Sequence, residues 1–110
     1  MHDVEQGLER IGVAGKEYAK AQTAFKAAEE NQKIVLSEQI IKAGAVPLAK
    51  AEHIARGTFE YREAADALTA ARGIAEELRA ELDYLTKRWE TWRTRMATER
   101  EKLKQGRTDG

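Results

Sequence analysis

From Tyr61 to Leu103 the chain places apolar residues at alternating steps of three and four. They are Tyr61, Ala64, Leu68, Ala71, Ala75, Leu78, Leu82, Leu85, Trp89, Trp92, Met96 and Leu103, with Glu99 the polar interruption. That spacing gathers them on one stripe of an α-helix and marks a coiled-coil seam. No Pro breaks the stretch. A second series with the same spacing precedes it: Val4, Gly7, Ile11, Ala14, Tyr18, Ala21, Phe25, Ala28, Gln32 and Val35, traceable to about Lys42. In this first series large residues hold one seam position and small ones the other.

The punctuation between the two series is specific. Ala43-Gly44-Ala45-Val46-Pro47 stops the first helix, because Gly suits a C-cap and Pro suits the start of the next helix. Residues 48–56 read as a short helix with Leu48, Ala51, Ile54 and Ala55 on one side. Gly57 ends it, and Thr58, with Glu60 behind it, caps the second long helix. Asp3 is placed to cap the first, with Glu5 and Glu9 at the positive end of its dipole.

The pattern predicts one all-α domain over residues 1–104. A long helix covers about 3–42, a turn and short helix 43–57, and a second long helix about 58–104, before a frayed tail at 105–110. Two long helices so closely joined fold back as an antiparallel coiled-coil hairpin. Such a hairpin has little interior of its own, so dimerisation into a bundle, a homo-oligomer, is expected.

The seams also predict a register. Setting Ile11 opposite Trp92, Ala14 opposite Trp89, Tyr18 opposite Leu85 and Phe25 opposite Leu78 puts Gly7 across from Met96. Glu17 then comes near Arg88, and Asp3 near Arg95 or Lys102. A slip of one heptad preserves the seam and changes only the connection.

Composition agrees with long helices: 35% charged and 42% hydrophobic residues, eight Gly and one Pro. No Cys is present, which rules out disulfides and thiolate metal sites. The apolar runs are too short for a membrane span, and the N-terminus lacks signal-peptide character, so a cytoplasmic protein is expected. Net charge is zero but unevenly spread. Residues 1–35 carry −1, residues 36–85 carry −3 and residues 86–110 carry +4.

No catalytic constellation is visible, and an enzyme is not expected. The histidines are His2 and His53, and His53 has no second His or Cys for a metal site. Neighbouring carboxylates, such as Glu29-Glu30 and Glu76-Glu77, point to different helix faces. No glycine-rich phosphate loop follows a strand. No metal or cofactor is therefore expected. A helix-turn-helix over Ser37–Gly57 fails at Ile40, Lys50 and His53, where a small residue and two apolar ones are needed. A DNA mimic would need an acidic surplus that is missing.

Two candidate contact regions stand out. One is the basic end around Lys87-Arg88-Trp89-Glu90-Thr91-Trp92-Arg93-Thr94-Arg95, where Arg88, Arg93, Arg95, Arg100 and Lys102 offer contacts to phosphate or carboxylate groups. The seam position of Trp89 and Trp92 favours packing over base stacking. The other is apolar surface near the turn beyond what one seam uses: Ile34, Ile40, Ile41, Leu48 and Ile54.

The second half also resembles a known family. It has an Ala-Gly turn (Ala43-Gly44), a short Ala-rich helix (Ala51-Glu52-His53-Ile54-Ala55-Arg56) and a Tyr opening a long helix (Tyr61). Ala71-Arg72, Glu77-Leu78-Arg79 and Trp89-x-x-Trp92-Arg93-Thr94 follow. Over about residues 39–104 this order resembles a family of short helical proteins of tailed phages and prophages, with Ala80 where an aromatic would stand. Genes of that family often lie near recombination or single-strand annealing functions. The resemblance implies a non-enzymatic accessory protein of phage DNA recombination or replication, binding DNA or a phage or host protein of DNA metabolism. The alternative is a structural or anti-defence module that docks on a protein and has no DNA affinity.

Overall fold

The computed structural model describes residues 4–106 in full and, at the two ends, only the helical backbone of residues 2–3 and 107–109. It is all-α. Helix α1 (His2–Lys42) and helix α3 (Phe59–Asp109) pack antiparallel, with the short α2 (Leu48–Arg56) between them. The Cα atoms span 89 × 24 × 14 Å, a rod one helix layer thick. Among the described residues no helix is long and apolar enough to cross a membrane.

The breaks fall where the local chemistry places them. Gly44 adopts φ +82°, a backbone conformation that costs glycine little, and α1 ends there. Pro47 sits just before α2, as its N-cap with φ −53°, and its carbonyl accepts from the Ala51 amide at 3.0 Å. Thr58 joins α2 to α3. Its hydroxyl donates to the Ala55 carbonyl at 2.7 Å and its oxygen accepts from the Tyr61 amide at 3.3 Å, which satisfies a donor that the start of α3 would leave unpaired. Replacing Thr58 by Ala is expected to cost about 1 kcal/mol, read as a lower urea midpoint, while Thr58→Ser retains most of the stability.

Both seams face inward. Ala14, Ala21, Ala64, Leu68 and Ala75 are buried, and Ile11, Tyr18, Phe25, Leu78, Leu82 and Leu85 are half-buried. The seam of α1 carries a polar residue at Gln32, whose amide donates to the Tyr61 hydroxyl at 3.4 Å, and another at Gln39, which is buried.

The register differs from the expected one by about one heptad. Gly7 shares a groove with Trp89, not Met96. Ala14 shares one with Leu85, not Trp89, and Phe25 lies against Arg72, 5.5 Å from guanidinium carbon to ring centroid, not opposite Leu78. The slipped register sets the Phe25 ring level with the small Ala71, so large still meets small. It also makes room for α2, which packs on the end of α1 through Ala51 and Ala55 and takes the place expected for the start of α3. On α2 the two alanines point inward, and Leu48 and Ile54, expected beside them, are exposed.

The charge pairing changes with the register. Glu17 and Arg88 line one groove without an ion pair, and among the described residues the pair within salt-bridge distance is Lys33–Glu30 at 3.5 Å. The Asp3 cap and its approach to Arg95 or Lys102 concern a side chain outside the described residues. Gln105 and Gly106 are helical and exposed, and the rest of the expected frayed tail lies outside the described side chains.

Candidate functional site

The slip in register decides what is exposed at the open end of the hairpin. Val4 lies against Trp92, so α1 covers α3 only as far as the half-buried Met96. From Ala97 to Gly106 every residue of α3 is exposed, and Leu103, the last member of the apolar series, is 66% exposed. The helix continues here as a single rod with nothing from the described residues of α1 beside it.

Four of the five basic residues singled out are at this end of α3 and all are exposed: Arg100 and Lys102 on the extension, Arg93 and Arg95 just before it. Arg93 and Arg100 are seven apart and flank one side of the stripe formed by Trp92, Met96 and Leu103. Arg95 and Lys102 flank the other side in the same way. Arg88 stands apart from them. It lies lower on α3, at the lip of the groove that also holds Arg10, and its guanidinium carbon is 5.8 Å from the centroid of the Tyr84 ring. That contact is worth about 0.5–1 kcal/mol at an exposed site. None of the five forms an ion pair with a described residue.

Trp89 and Trp92 form the floor of the open end. Their ring centroids are 5.2 Å apart with planes at 19°, a stacked pair, and both rings are half-buried. With Val4, Gly7, Arg10, Leu85 and Arg88 they line a groove of about 360 Å³. A Cβ placed on Gly7 would touch nothing within 4 Å, so the groove is open beside the tryptophans. Stacking on one another occupies one face of each ring, which suits a packed seam better than a platform for bases.

At the turn end the five apolar candidates do not form one patch. Ile34, Ile41, Leu48 and Ile54 are exposed, Ile41 at 78%, while Ile40 is half-buried. Ile34 and Ile41 share a line along α1, whereas Ile40 is turned about 100° from Ile41. Exposed apolar residues that the seam pattern does not reveal are Val13, Ile74, Tyr84 and Phe59. Their sequence signal is weak, since each falls outside the 3-4 series of its helix.

No protein-family model matches the chain, and no curated protein or solved structure matches it.

Proposed function

We propose that this chain is a non-enzymatic accessory protein of phage or prophage DNA recombination or replication, working in the host cytoplasm, and that it binds nucleic acid through the basic end of α3. The observation that carries this reading is the exposed basic end of α3, where Arg93 and Arg95, and Arg100 and Lys102 on the extension beyond Met96, have no acidic partner among the described residues. A single α-helix with uncovered sides fits the major groove of duplex DNA, which is about 12 Å wide. Guanidinium groups along it can pair with phosphates on either side. The half-buried Trp89 and Trp92 hold the base of the extension against α1.

The test is binding to fluorescent duplex and single-stranded DNA over a range of salt. Four phosphate contacts give a log–log slope of about −3.6 on duplex, or about −2.8 on a single strand, with affinity in the micromolar range at low salt. A flat salt response, or no binding at low salt, rejects the reading.

One observation favours a second reading, a docking module for a protein with no DNA affinity. Ile34, Ile41, Leu48 and Ile54 expose apolar surface at the end opposite the basic extension. Under that reading Ile41→Asp removes the partner and leaves the hairpin intact.

A further inference from the structure

The interior of one chain is thin. The buried apolar residues among those described are six alanines and Leu68, and no large side chain is fully buried. Stable domains usually need two packed layers. This rod has one, and the position of its charges and apolar residues shows how a second could be supplied.

Arg10, Val13 and Glu17 of α1 line one groove with Glu81, Tyr84 and Arg88 of α3, so these six share a flank of the hairpin. Gln22, Arg72 and Arg79 line a groove on the other flank. Steps of seven carry the first flank along α1 to Lys20, Ala24, Ala27, Asn31, Ile34 and Glu38, all exposed. Along α3 they carry it to Glu77, Ile74, Ala70, Ala67, Glu63 and Glu60, also exposed. One end of this flank is basic, with Arg10 level with Arg88. The other end is acidic, with Glu38 level with Glu60. Between them small and apolar residues, with Ile74 55% exposed, alternate with the charged Glu17, Lys20, Glu77 and Glu81.

We propose that a second copy of this chain covers this flank, in an antiparallel four-helix bundle whose two-fold axis passes at the level of Ala24 and Ile74. About that axis Arg10 meets the partner's Glu38, and Arg88 meets the partner's Glu60. Val13 meets the partner's Ile34, and Ile74 meets its own counterpart. Glu17 falls opposite the partner's Asn31, Lys20 opposite the partner's Ala27, Glu63 opposite the partner's Tyr84, and Glu77 and Glu81 opposite the partner's Ala70 and the partner's Ala67, so no like charges stand directly opposite one another. The small Ala24, Ala27 and Ala67 let the helices approach closely. A parallel pairing would set Arg10 against the partner's Arg88, and Glu38 against the partner's Glu60, which like-charge repulsion rejects. The overlap from Arg10 to Glu38 is about 42 Å long and two helices, about 20 Å, wide. That gives about 800 Å² per partner, the usual area of a stable pair.

The chain has no cysteine, so a single introduced one reports its own neighbour. Sedimentation equilibrium of the full chain should give twice the chain mass. Mild oxidation of Ile74→Cys should give a disulfide-linked dimer, and Arg72→Cys, on the other flank, should not. The charges supply an independent test. Arg10→Glu with Arg88→Glu, and separately Glu38→Lys with Glu60→Lys, should each halve the mass, with helical circular dichroism retained. Mixing the two variants should restore a dimer containing one of each. A monomeric native chain overturns the proposal, as does cross-linking through Arg72→Cys but not Ile74→Cys. So do charge variants that both remain dimeric, or a mixture that stays monomeric. If a charge variant fails to fold, the cysteine pair decides.

Discussion

Reversing three charges at the basic end of α3, with Arg93→Glu, Arg95→Glu and Arg100→Glu together, will weaken DNA binding by about a hundredfold or more. Each exposed phosphate contact contributes on the order of 1 kcal/mol, and losing three corresponds to that factor. The substitution also changes the sign of the segment. Residues 93–106 hold five basic and two acidic side chains, and after reversal the acidic ones prevail. Folding should be unaffected, because all three residues are exposed and none forms an ion pair with a described residue. Surface changes of this kind stay within about 0.5 kcal/mol each. The matching Lys triple should keep most of the binding. Titration of labelled duplex at low salt, with thermal melts of each variant, checks both halves. Equal affinity of the Glu triple and the native chain would remove the basic end of α3 as the contact surface.

The largest loss of stability from a single substitution is expected at Leu68. It is 8% exposed and is the one buried apolar residue larger than alanine among those described. Leu68→Ala removes three buried carbons and leaves a gap between rigid helices, at a cost of about 2–5 kcal/mol. A chain of this length has roughly 5–15 kcal/mol in total, so the change takes a large share of it. Leu103→Ala makes the same chemical change on the uncovered end of α3 and should have almost no effect. Urea unfolding of the two variants and the native chain at one fixed protein concentration measures the contrast. The concentration must be held constant because association shifts apparent stability. Equal midpoints for Leu68→Ala and Leu103→Ala would mean that the α1–α3 seam is not what holds the hairpin together.

The sequence by itself determined the two helices, their inward stripes and the positions of the breaks. These depend on local rules. Apolar spacing of 3.5 residues sets a face, Gly44 can take a positive φ without strain, and the Thr58 oxygen reaches an amide three residues on. It also showed the basic bias of the last quarter, which is a matter of counting.

Only the tertiary structure decided the register, and the candidate site depends on it. A heptad seam is unchanged by a slip of seven residues, so the pattern alone cannot distinguish Gly7 opposite Met96 from Gly7 beside Trp89. The choice came from α2. Its small buried face, Ala51 and Ala55, packs on the end of α1 and sets where α3 can begin. That one-heptad difference takes the described part of α1 away from the residues after Met96 and leaves Arg100 and Lys102 uncovered on every side. It also sets Arg10 level with Arg88, and Glu38 level with Glu60. The distribution of charge over the two flanks is a property of the folded pair of helices, because Arg10 and Arg88, far apart in the chain, and Glu38 and Glu60 must be placed side by side before it exists.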